Sequence, residues 1–429
     1  MGSVTLSGDV LTVVAGGPLR GELRAPGDKS ISHRALMLAA LADGDSHISG
    51  LSDGADVAAT AAAMKALGAG VAPDGEGVRV SGGRLRAPAG PIDVGNSGTS
   101  IRLLAGIAAG CPFTTVIGGD ASVNRRPMDR VAVPLRLMGA DVDGADGGRR
   151  APLRIAGGEL SGIRWTPPAA SAQVKGAVLL AGLFAEGETV VREPIPTRAH
   201  TEEMLAAFGA DVRVAGGEVA VRASRPAPFE FDVPGDPSAA AFWLVGAAVT
   251  PGSEVTVYDV YRGAGRDGFL RVLRRMGAEV SAVPTGRDRV RLTCRHGPLR
   301  GVTVAAREAP DLIDEIPVLA VAAALAEGPS RFEGLGELRH KESDRLRSTL
   351  AGLAALGAAA EVDQQALVVH GGARLRGGSV DAAGDHRIAM AFCIGGLAAS
   401  EGDETAVGGW GAVATSYPGF VRDLARCRT

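Results

Sequence analysis

Apolar residues recur at helical spacing in several stretches of this chain, and short β-branched runs stand between them. The helical pattern predicts helices over 34–42, 57–67, 172–185, 238–249 and 316–327. The intervening runs predict short strands at 78–80, 115–117, 189–191, 255–257 and 367–369. Because helices and strands alternate along the whole chain, the pattern predicts an α/β protein.

One of these stretches, 57–67, and four further helical stretches end in the same phrase, an apolar turn followed by Gly-Ala. Its glycines are Gly68, Gly139, Gly209, Gly277 and Gly357. Glycine accepts the left-handed conformation that ends a helix, so the phrase predicts five helix C-termini. Its period of roughly 70 residues exceeds the 20–50 residues that are typical of solenoids. The phrase therefore indicates a small α/β unit that is repeated along the chain.

A second recurrent feature is a short polar loop at the start of a helix. Such loops lie at 26–30, 95–100, 170–173, 234–238, 310–314 and 383–387. Six helix starts predict six units, one more than the Gly-Ala phrases indicate. A helix N-terminus carries unpaired N–H groups and the positive end of the helix dipole. Six such ends directed at one place would form a strong anion site.

Composition narrows the class of protein. A chain of 429 residues predicts two or more domains, and a formal net charge of −3 gives no general basic field for nucleic acid. The four cysteines are far apart and lack CxxC spacing, which disfavours disulfides and structural zinc. No signal pattern opens the sequence, and apolar runs such as 239–249 are too short to span a bilayer. We expect a cytoplasmic protein without metal, cofactor, nucleic-acid partner or membrane.

The loop at 27–34 carries the clearest chemistry. Lys29 and Ser30 stand at a predicted helix start, and Arg34 follows one turn after Ser30 on the same face. These side chains around exposed N–H groups suit a phosphate, although a capped helix with surface cations explains the loop equally well. The GxxxxGK[ST] pattern is absent from the chain, so ATP is not implied.

Three further loops offer polar groups that ordinary structure also explains. Gly98 would let the backbone approach a ligand closely, whereas such a glycine alone is a common turn residue. Arg126 lies in a loop before a proline, where a single cation is usually solvated. Ser171 predicts a helix cap, and Gln173 two residues later could donate to an acid or a phosphate.

The C-terminal half adds carboxylates and more cations. Asp314 lies at the start of an apolar helix, and Glu342 lies in a loop between Lys341 and Arg345. Arg387 stands in another charged loop. A charge-dense loop is usually a solvated surface. Taken together, many cations and two possible proton-transfer carboxylates suit anionic substrates and a reaction with proton transfer.

Seven segments, in this order, resemble the 5-enolpyruvylshikimate-3-phosphate synthase family of enolpyruvyl transferases. They are PGDKSISHR, GNSGTSIR, NRRPM, SAQVK, LIDEIP, HKESDR and GDHRIAM. The resemblance extends from about residue 16 to the C-terminus. It implies two α/β globules, each of three βαβαββ repeats in an inside-out α/β barrel, with the active site in the cleft between them. The first globule would comprise 1–26 and 235–429, and the second 27–234.

The resemblance also implies an activity. The enolpyruvyl (carboxyvinyl) group of phosphoenolpyruvate would pass to the 5-hydroxyl of shikimate 3-phosphate, with release of phosphate. This transfer is a step of chorismate and aromatic amino acid biosynthesis. The two substrates would be the only partners, no cofactor is implied, and we expect a monomer.

Site residues follow from the same resemblance. The shikimate 3-phosphate site would comprise Lys29, Ser30, Arg34, Ser171, Ala172, Gln173, Thr197, Asp314 and Lys341. The phosphoenolpyruvate site would comprise Lys29, Gly98, Arg126, Gln173, Arg345 and Arg387. As catalytic groups, Asp314 would accept the proton of the 5-hydroxyl and Glu342 would handle the proton of the methylene carbon. Lys29 would assist at the hydroxyl or at the departing phosphate.

Two positions depart from the family pattern. Thr197 stands where many relatives have a serine, so a hydroxyl is kept. Thr415 stands where some members have a lysine, so one cation of the phosphoenolpyruvate site is missing or is supplied elsewhere.

Three alternative functions remain. Lys29-Ser30 and the absence of cysteine from 121–128 disfavour the sister enzyme that uses UDP-N-acetylglucosamine. A diverged paralogue acting on a related cyclitol is less firmly excluded. A non-catalytic anion-binding module would not need the carboxylates Asp314 and Glu342.

Overall fold

The computed structural model describes residues 2–428, and its internal contacts divide the chain into two compact units. One unit extends to Pro26 and resumes at Pro234, and the other is Gly27–Val233. We call them the terminal unit and the central unit. Their limits differ by one residue, Pro234, from the ranges predicted for the two globules. That each range folds as an independent domain stays a prediction.

Each unit contains three four-stranded sheets, and all six sheets share one topology. Along each sheet the first neighbouring pair is parallel and the next two pairs are antiparallel. In the central unit the spatial orders are Glu230–Asp232, Asp45–Ser49, Gly77–Ser81, Gly70–Asp74; Ile92–Asp93, Thr114–Gly118, Arg150–Ala156, Asp141–Gly144; and Arg164–Trp165, Glu188–Arg192, Glu218–Arg222, Val212–Ala215. In the terminal unit they are Arg20–Arg24, Glu254–Tyr261, Arg289–Arg295, Glu279–Pro284; Thr303–Val304, Ser330–Phe332, Ala366–Val369, Ala360–Asp363; and Ser379–Asp381, Glu404–Gly408, Val10–Val14, Val4–Ser7. A short parallel pair, Leu160–Ser161 with Ala185–Glu186, adds to the central unit.

Helices complete the repeats. The central unit contains the helices Lys29–Leu41, Ala55–Ala66, Gly98–Ala109, Ala121–Arg125, Asp129–Leu137, Ala145–Gly148, Ala172–Gly182 and His200–Ala207. The terminal unit contains Pro237–Val249, Gly268–Arg275, Ile316–Leu325, Arg345–Ala355, His386–Leu397 and Phe420–Arg426, and the 3-10 helices Ala306–Asp311, Gly336–His340 and Trp410–Thr415. With the strands they form six βαβαββ repeats. The predicted α/β class and the count of six units are confirmed.

The Gly-Ala phrase is a helix C-terminal device in all five copies. The five glycines have φ angles from 80° at Gly209 to 111° at Gly139. In each copy the alanine N–H donates to the carbonyl five residues earlier, as from Ala69 to Met64 at 3.0 Å, and the glycine N–H donates to the carbonyl three residues earlier. This double hydrogen bond is the Schellman motif, which needs a left-handed residue. Any side chain at these glycines would be strained there.

Each passage of the chain from one unit to the other follows the first strand of a repeat in one unit and precedes the first helix of a repeat in the other. Strand Arg20–Arg24 pairs with Glu254–Tyr261 inside the terminal unit. Strand Glu230–Asp232 pairs with Asp45–Ser49 inside the central unit. Each unit therefore contains a parallel pair of strands that are distant in sequence. The paired residues are 183 apart for Glu230 and His47 and 234 apart for Glu254 and Arg20.

The sixth repeat lacks a Gly-Ala phrase because its last helix and its hairpin are not consecutive in sequence. Its sheet pairs strand Glu404–Gly408 with Val10–Val14, which belongs to the N-terminal hairpin. In the other repeats the phrase joins a helix directly to its hairpin. Here the helix Phe420–Arg426 and the hairpin stand at opposite ends of the sequence, so no such junction exists.

The first helix of each repeat is buried on almost every face. In the helix Pro237–Val249 all 13 residues are buried, and the helices Gly98–Ala109 and Ile316–Leu325 are nearly as enclosed. A helix that is apolar all round requires such an interior position. Several candidate residues, including Lys29, Gly98 and Gln173, lie at the N-terminal ends of these helices. Among residues 2–428 no helix has the length and apolarity to cross a membrane.

Candidate active site

The candidate residues form two sets, one in each unit. The central set comprises Lys29, Ser30, Arg34, Gly98, Arg126, Ser171, Ala172, Gln173 and Thr197. The terminal set comprises Asp314, Lys341, Glu342, Arg345 and Arg387. Within each unit, side-chain hydrogen bonds connect the helix ends that carry these residues.

Most of the predicted helix starts are already capped by the chain itself. Side chains of Asp28, Ser97, Ser171, Asp236 and Asp385 accept hydrogen bonds from backbone N–H groups in the first turn. One N–H at each of these ends is therefore occupied, and that the helix ends together form an anion site stays a prediction. The cationic side chains beside these ends are the further donors available to an anion.

The start predicted at 310–314 is also displaced. Residues 306–311 form a 3-10 helix, and the α-helix begins only at Ile316. Asp314 therefore lies in the turn before the helix, and Glu315 is the residue that immediately precedes it.

The two cations of the first loop are held by neighbouring helices. Lys29 Nζ lies 2.5 Å from Asp56 Oδ2 on the helix Ala55–Ala66. Arg34 is buried, and its Nε donates to Thr201 Oγ1 at 2.8 Å on the helix His200–Ala207. A second Arg34 nitrogen donates to the Ser30 carbonyl at 2.9 Å. The positions of both cations are therefore fixed by the protein.

Gln173 is oriented by Arg102, the arginine of the GNSGTSIR segment, for which no role was predicted. Arg102 Nη1 donates to Gln173 Oε1 at 2.6 Å, and Gln173 Nε2 donates to Thr99 Oγ1 at 2.9 Å. An arginine is only a donor, so it fixes which side of the amide is the oxygen. Arg102 lies one turn after Gly98 and also donates to the Gly98 carbonyl at 3.3 Å.

Arg126 lies so close to Gly98 that a side chain at position 98 would collide with it. A Cβ atom at Gly98 would lie 2.2 Å from Arg126 Nη1. Arg126 is buried, and its Nη2 donates to Asn96 Oδ1 at 3.2 Å. The structure thus places the predicted phosphoenolpyruvate residues Gly98 and Arg126 side by side.

His33, next to Arg34, forms a buried hydrogen-bonded chain. Its Nδ1 lies 2.7 Å from Thr60 Oγ1, which lies 2.6 Å from Ser100 Oγ, and that hydroxyl donates to the capping Ser97. Burial, followed by the charges of Lys29 and Arg34, lowers the pKa of His33 well below 6.5. The imidazole is therefore neutral in the folded protein near neutral pH.

We expect this histidine to make the stability depend on pH. Below about pH 6.5 the unfolded chain binds a proton at His33 that the folded protein does not bind. Stability should then fall by up to about 1.4 kcal/mol per pH unit as the pH decreases. In His33→Asn the slope between pH 6.5 and 5 should be smaller by about that amount, as urea unfolding would measure. His370→Asn, at an exposed histidine, is the control, and an unchanged slope in His33→Asn would refute the prediction.

Arg345 is the centre of the terminal set. It is 1% exposed, and its guanidinium donates to Asp385 Oδ2 at 2.7 Å, Asp314 Oδ1 at 2.9 Å and Glu342 Oε2 at 2.6 Å. Burial alone would lower its pKa, but the charges of Asp385, Glu342 and Asp314 raise the pKa above its usual value. The two predicted proton-transfer carboxylates are thus bound to one permanent cation.

Two further cations, Lys341 and Arg387, also contact Asp314. Lys341 Nζ lies 3.2 Å from Asp314 Oδ1, and Arg387 Nη1 donates to the Asp314 carbonyl at 3.2 Å. Arg387 also lies 3.4 Å from Glu315 Oε1, and that oxygen accepts from the Ser238 hydroxyl. The sequence predicted two carboxylates here, but Asp385 and Glu315 also contact the cations.

Thr415, the departure from the family pattern, is bonded inside the terminal unit. Its hydroxyl donates to the Ala412 carbonyl at 2.7 Å and lies 3.2 Å from His386 Nδ1. His386 precedes Arg387 at the start of the same helix. Thr415 therefore contacts the start of the helix that carries Arg387 and adds no charge there.

The two sets offer different chemistry. The central set presents cations and hydroxyls, which suit phosphate groups. The terminal set presents carboxylates bound to cations, which suit proton transfer beside negative charge. Among the described residues, no cluster of three or more His, Cys, Asp or Glu side chains is placed to hold a metal ion. The four cysteines are buried and free.

Comparison with known proteins agrees with this chemistry. The family model for EPSP synthase (3-phosphoshikimate 1-carboxyvinyltransferase) matches residues 13–424. A 3-phosphoshikimate 1-carboxyvinyltransferase from Anaeromyxobacter sp. (strain K) is 48% identical over 419 residues, which cover 96% of this chain and 95% of the relative. One from Thermus thermophilus is 48% identical, covering 97% and 99%.

Solved structures give the same result. An EPSP synthase from Acinetobacter baumannii is 38% identical with a TM-score of 0.84 and covers 98% of both chains. The enolpyruvyl transferase NikO from Streptomyces tendae is 21% identical with a TM-score of 0.78, covering 97% of each chain, and this second likeness supports the fold alone.

Proposed function

The chain belongs to the EPSP synthase family, and we propose that it transfers the enolpyruvyl group of phosphoenolpyruvate to the 5-hydroxyl of shikimate 3-phosphate. Phosphate is the second product. The observation that supports this most directly is the Arg345 centre, where Asp314 and Glu342 contact one buried guanidinium. Binding alone would need the cations without these two acids.

The central set binds the phosphorylated groups in this proposal. Lys29, Ser30 and Arg34 contact the phosphate of shikimate 3-phosphate, together with the helix start at Ser171, Ala172 and Gln173. Arg126 binds phosphoenolpyruvate beside Gly98. This assignment is supported by the fixed orientation of the cations, because a charged group held in place loses less entropy when it binds its ligand.

The terminal set transfers the protons. Asp314 takes the proton of the 5-hydroxyl while Glu342 delivers a proton to the methylene carbon of phosphoenolpyruvate. The hydroxyl oxygen then bonds to the central carbon and forms a tetrahedral intermediate. Glu342 removes a proton from the new methyl group as the carbon–oxygen bond to phosphate breaks, and Lys29 assists the departing phosphate. Lys341 binds shikimate 3-phosphate, whereas Arg345 and Arg387 bind phosphoenolpyruvate.

Two further properties belong to the proposal. We infer that the protein is cytoplasmic, since its two proposed substrates are charged metabolites. We also infer that it acts as a monomer, because each candidate residue is assigned to this one chain.

Phosphate release tests the proposed function. The purified protein should release phosphate from phosphoenolpyruvate with shikimate 3-phosphate as acceptor. Unphosphorylated shikimate and UDP-N-acetylglucosamine serve as alternative acceptors. Release with UDP-N-acetylglucosamine but not with shikimate 3-phosphate would indicate the sister activity. No release with any of these acceptors would refute the proposal.

Gly98→Ala should weaken the binding of phosphoenolpyruvate. The added methyl would displace Arg126, since the Cβ would lie 2.2 Å from its Nη1. The end of a long side chain can move, so the variant should fold, and we expect the KM for phosphoenolpyruvate to rise about tenfold. Steady-state kinetics would measure this against Gly90→Ala, where a Cβ meets open space. An unchanged KM would show that Arg126 does not contact this substrate.

A further inference from the structure

Behind the predicted phosphate residues of the central unit lies a buried lysine between two acids. Lys175 is wholly buried in the first turn of the helix Ala172–Gly182. Its Nζ lies 2.7 Å from Glu193 Oε2 and 2.6 Å from Glu202 Oε1. A buried cation needs such partners, and none of these three side chains is among the predicted substrate-binding or catalytic residues.

The second acid, Glu202, has a carboxylate that is buried and only partly hydrogen-bonded. Its Oε2 is buried and has no hydrogen-bond partner among the described residues. Burial raises the pKa of Glu202, although the charge of Lys175 opposes this effect. Both oxygens of Glu193, by contrast, accept hydrogen bonds, one from Lys175 and one from Thr197.

Glu193 has a second contact that reaches the predicted substrate site. Thr197 is buried, and its hydroxyl donates to Glu193 Oε1. A hydroxyl has one hydrogen, and a phosphate dianion offers only acceptors. Thr197 therefore cannot donate to Glu193 and to a substrate phosphate at the same time. Lys175 occupies the other Glu193 oxygen and so keeps the carboxylate in place.

We propose that Glu193, anchored by Lys175, is a positioning residue that competes with the substrate phosphate for the hydroxyl hydrogen of Thr197. This inference rests on the proposed function and on the assignment of Thr197 to the phosphate. In consequence, shikimate 3-phosphate binds less tightly than the cations alone would allow. Glu193 itself does not contact the substrate.

Glu193→Gln tests the competition because the variant reverses one hydrogen bond. Lys175 is only a donor, so the glutamine oxygen must face Lys175 and its amide nitrogen must face Thr197. The nitrogen then donates to Thr197 Oγ1, and the hydroxyl hydrogen becomes available to the phosphate. We expect the Kd for shikimate 3-phosphate, measured by calorimetry, to fall about three- to tenfold. The KM for phosphoenolpyruvate should not change.

Glu202→Gln is the matched control. It removes a carboxylate from the same lysine but keeps the hydrogen bond between Glu193 and Thr197. Its Kd should equal that of the wild type. Equal tightening in both variants would mean that charge alone is responsible and would overturn the proposal.

Thr197→Val gives a second test, because it removes the hydroxyl for which Glu193 and the phosphate compete. Thr197→Val should weaken the binding of shikimate 3-phosphate more in the Glu193→Gln background than in the wild-type background, because only there is the hydroxyl hydrogen free for the phosphate. An equal loss of affinity in both backgrounds would show that Glu193 does not compete for this hydrogen and would overturn the proposal. Failure of the proposed function is distinguishable, because the wild-type protein would then neither bind nor turn over shikimate 3-phosphate.

Discussion

Glu342→Gln should lower kcat for phosphate release by about 10²–10⁴-fold while leaving the Kd for shikimate 3-phosphate almost unchanged. Glu342 Oε2 accepts from Arg345 at 2.6 Å, and the glutamine oxygen can keep that hydrogen bond. A glutamine cannot carry the proton to and from the methylene carbon. The fold and the phosphate-binding side chains should stay intact, so the loss should fall on the chemical step.

Two measurements separate the chemical step from binding. Rapid-quench or steady-state phosphate release gives kcat, and calorimetry gives the Kd for shikimate 3-phosphate. Deuterium from solvent should enter the methylene carbon of phosphoenolpyruvate with the wild type and not with the variant. Glu361→Gln, at an exposed glutamate on the strand Ala360–Asp363, controls for the loss of an acid. Normal phosphate release by Glu342→Gln would remove Glu342 from the catalytic groups.

The repeated fold could be predicted from the sequence because the residues that end its helices are local signals. A Schellman helix end needs a left-handed residue, so each of the five Gly-Ala phrases marks a helix end without information from elsewhere in the chain. Strand pairing is different. Nothing near Glu230–Asp232 indicates that it pairs with Asp45–Ser49, because that pairing depends on contacts between distant residues.

The residues of the candidate site could be predicted from the sequence to a similar extent. Loop composition and the family resemblance identified the cations, and the structure shows which neighbour holds each one. Asp385 was overlooked because an aspartate before a helix looks like a cap, and it does cap the Arg387 N–H at 2.9 Å. Its bond to Arg345 is a second role that only the packing reveals. Lys175 was overlooked because an isolated lysine in a helix ordinarily lies at the surface.

Arg345 and Lys175 share a physical principle. Each is a buried cation that contacts more than one carboxylate, and each lies beside residues assigned to a substrate. Such a cation neutralises acids that would otherwise repel both each other and an incoming phosphate. The acids can then be used for proton transfer or for orientation without excluding an anionic ligand.

Arg345→Met should lower the free energy of unfolding by about 3–5 kcal/mol and reduce phosphate release at least about 10²-fold. Methionine has a comparable length but leaves Asp385, Asp314 and Glu342 buried around an uncharged side chain. The three acids then repel one another, and the predicted contact to phosphoenolpyruvate is lost. Because protonation removes that repulsion, the stability gap to the wild type should be smaller at pH 5 than at pH 8.

Urea unfolding at both pH values and steady-state kinetics would measure these effects. Arg347→Met is the matched control, since Arg347 lies two residues further on the same helix and is exposed. It should change the unfolding free energy by less than about 0.5 kcal/mol. If Arg345→Met were as stable and as active as Arg347→Met, the three carboxylates would not depend on a common cation. The proposed centre of proton transfer would then lose its physical basis, because no single charge would hold Asp314 and Glu342 together.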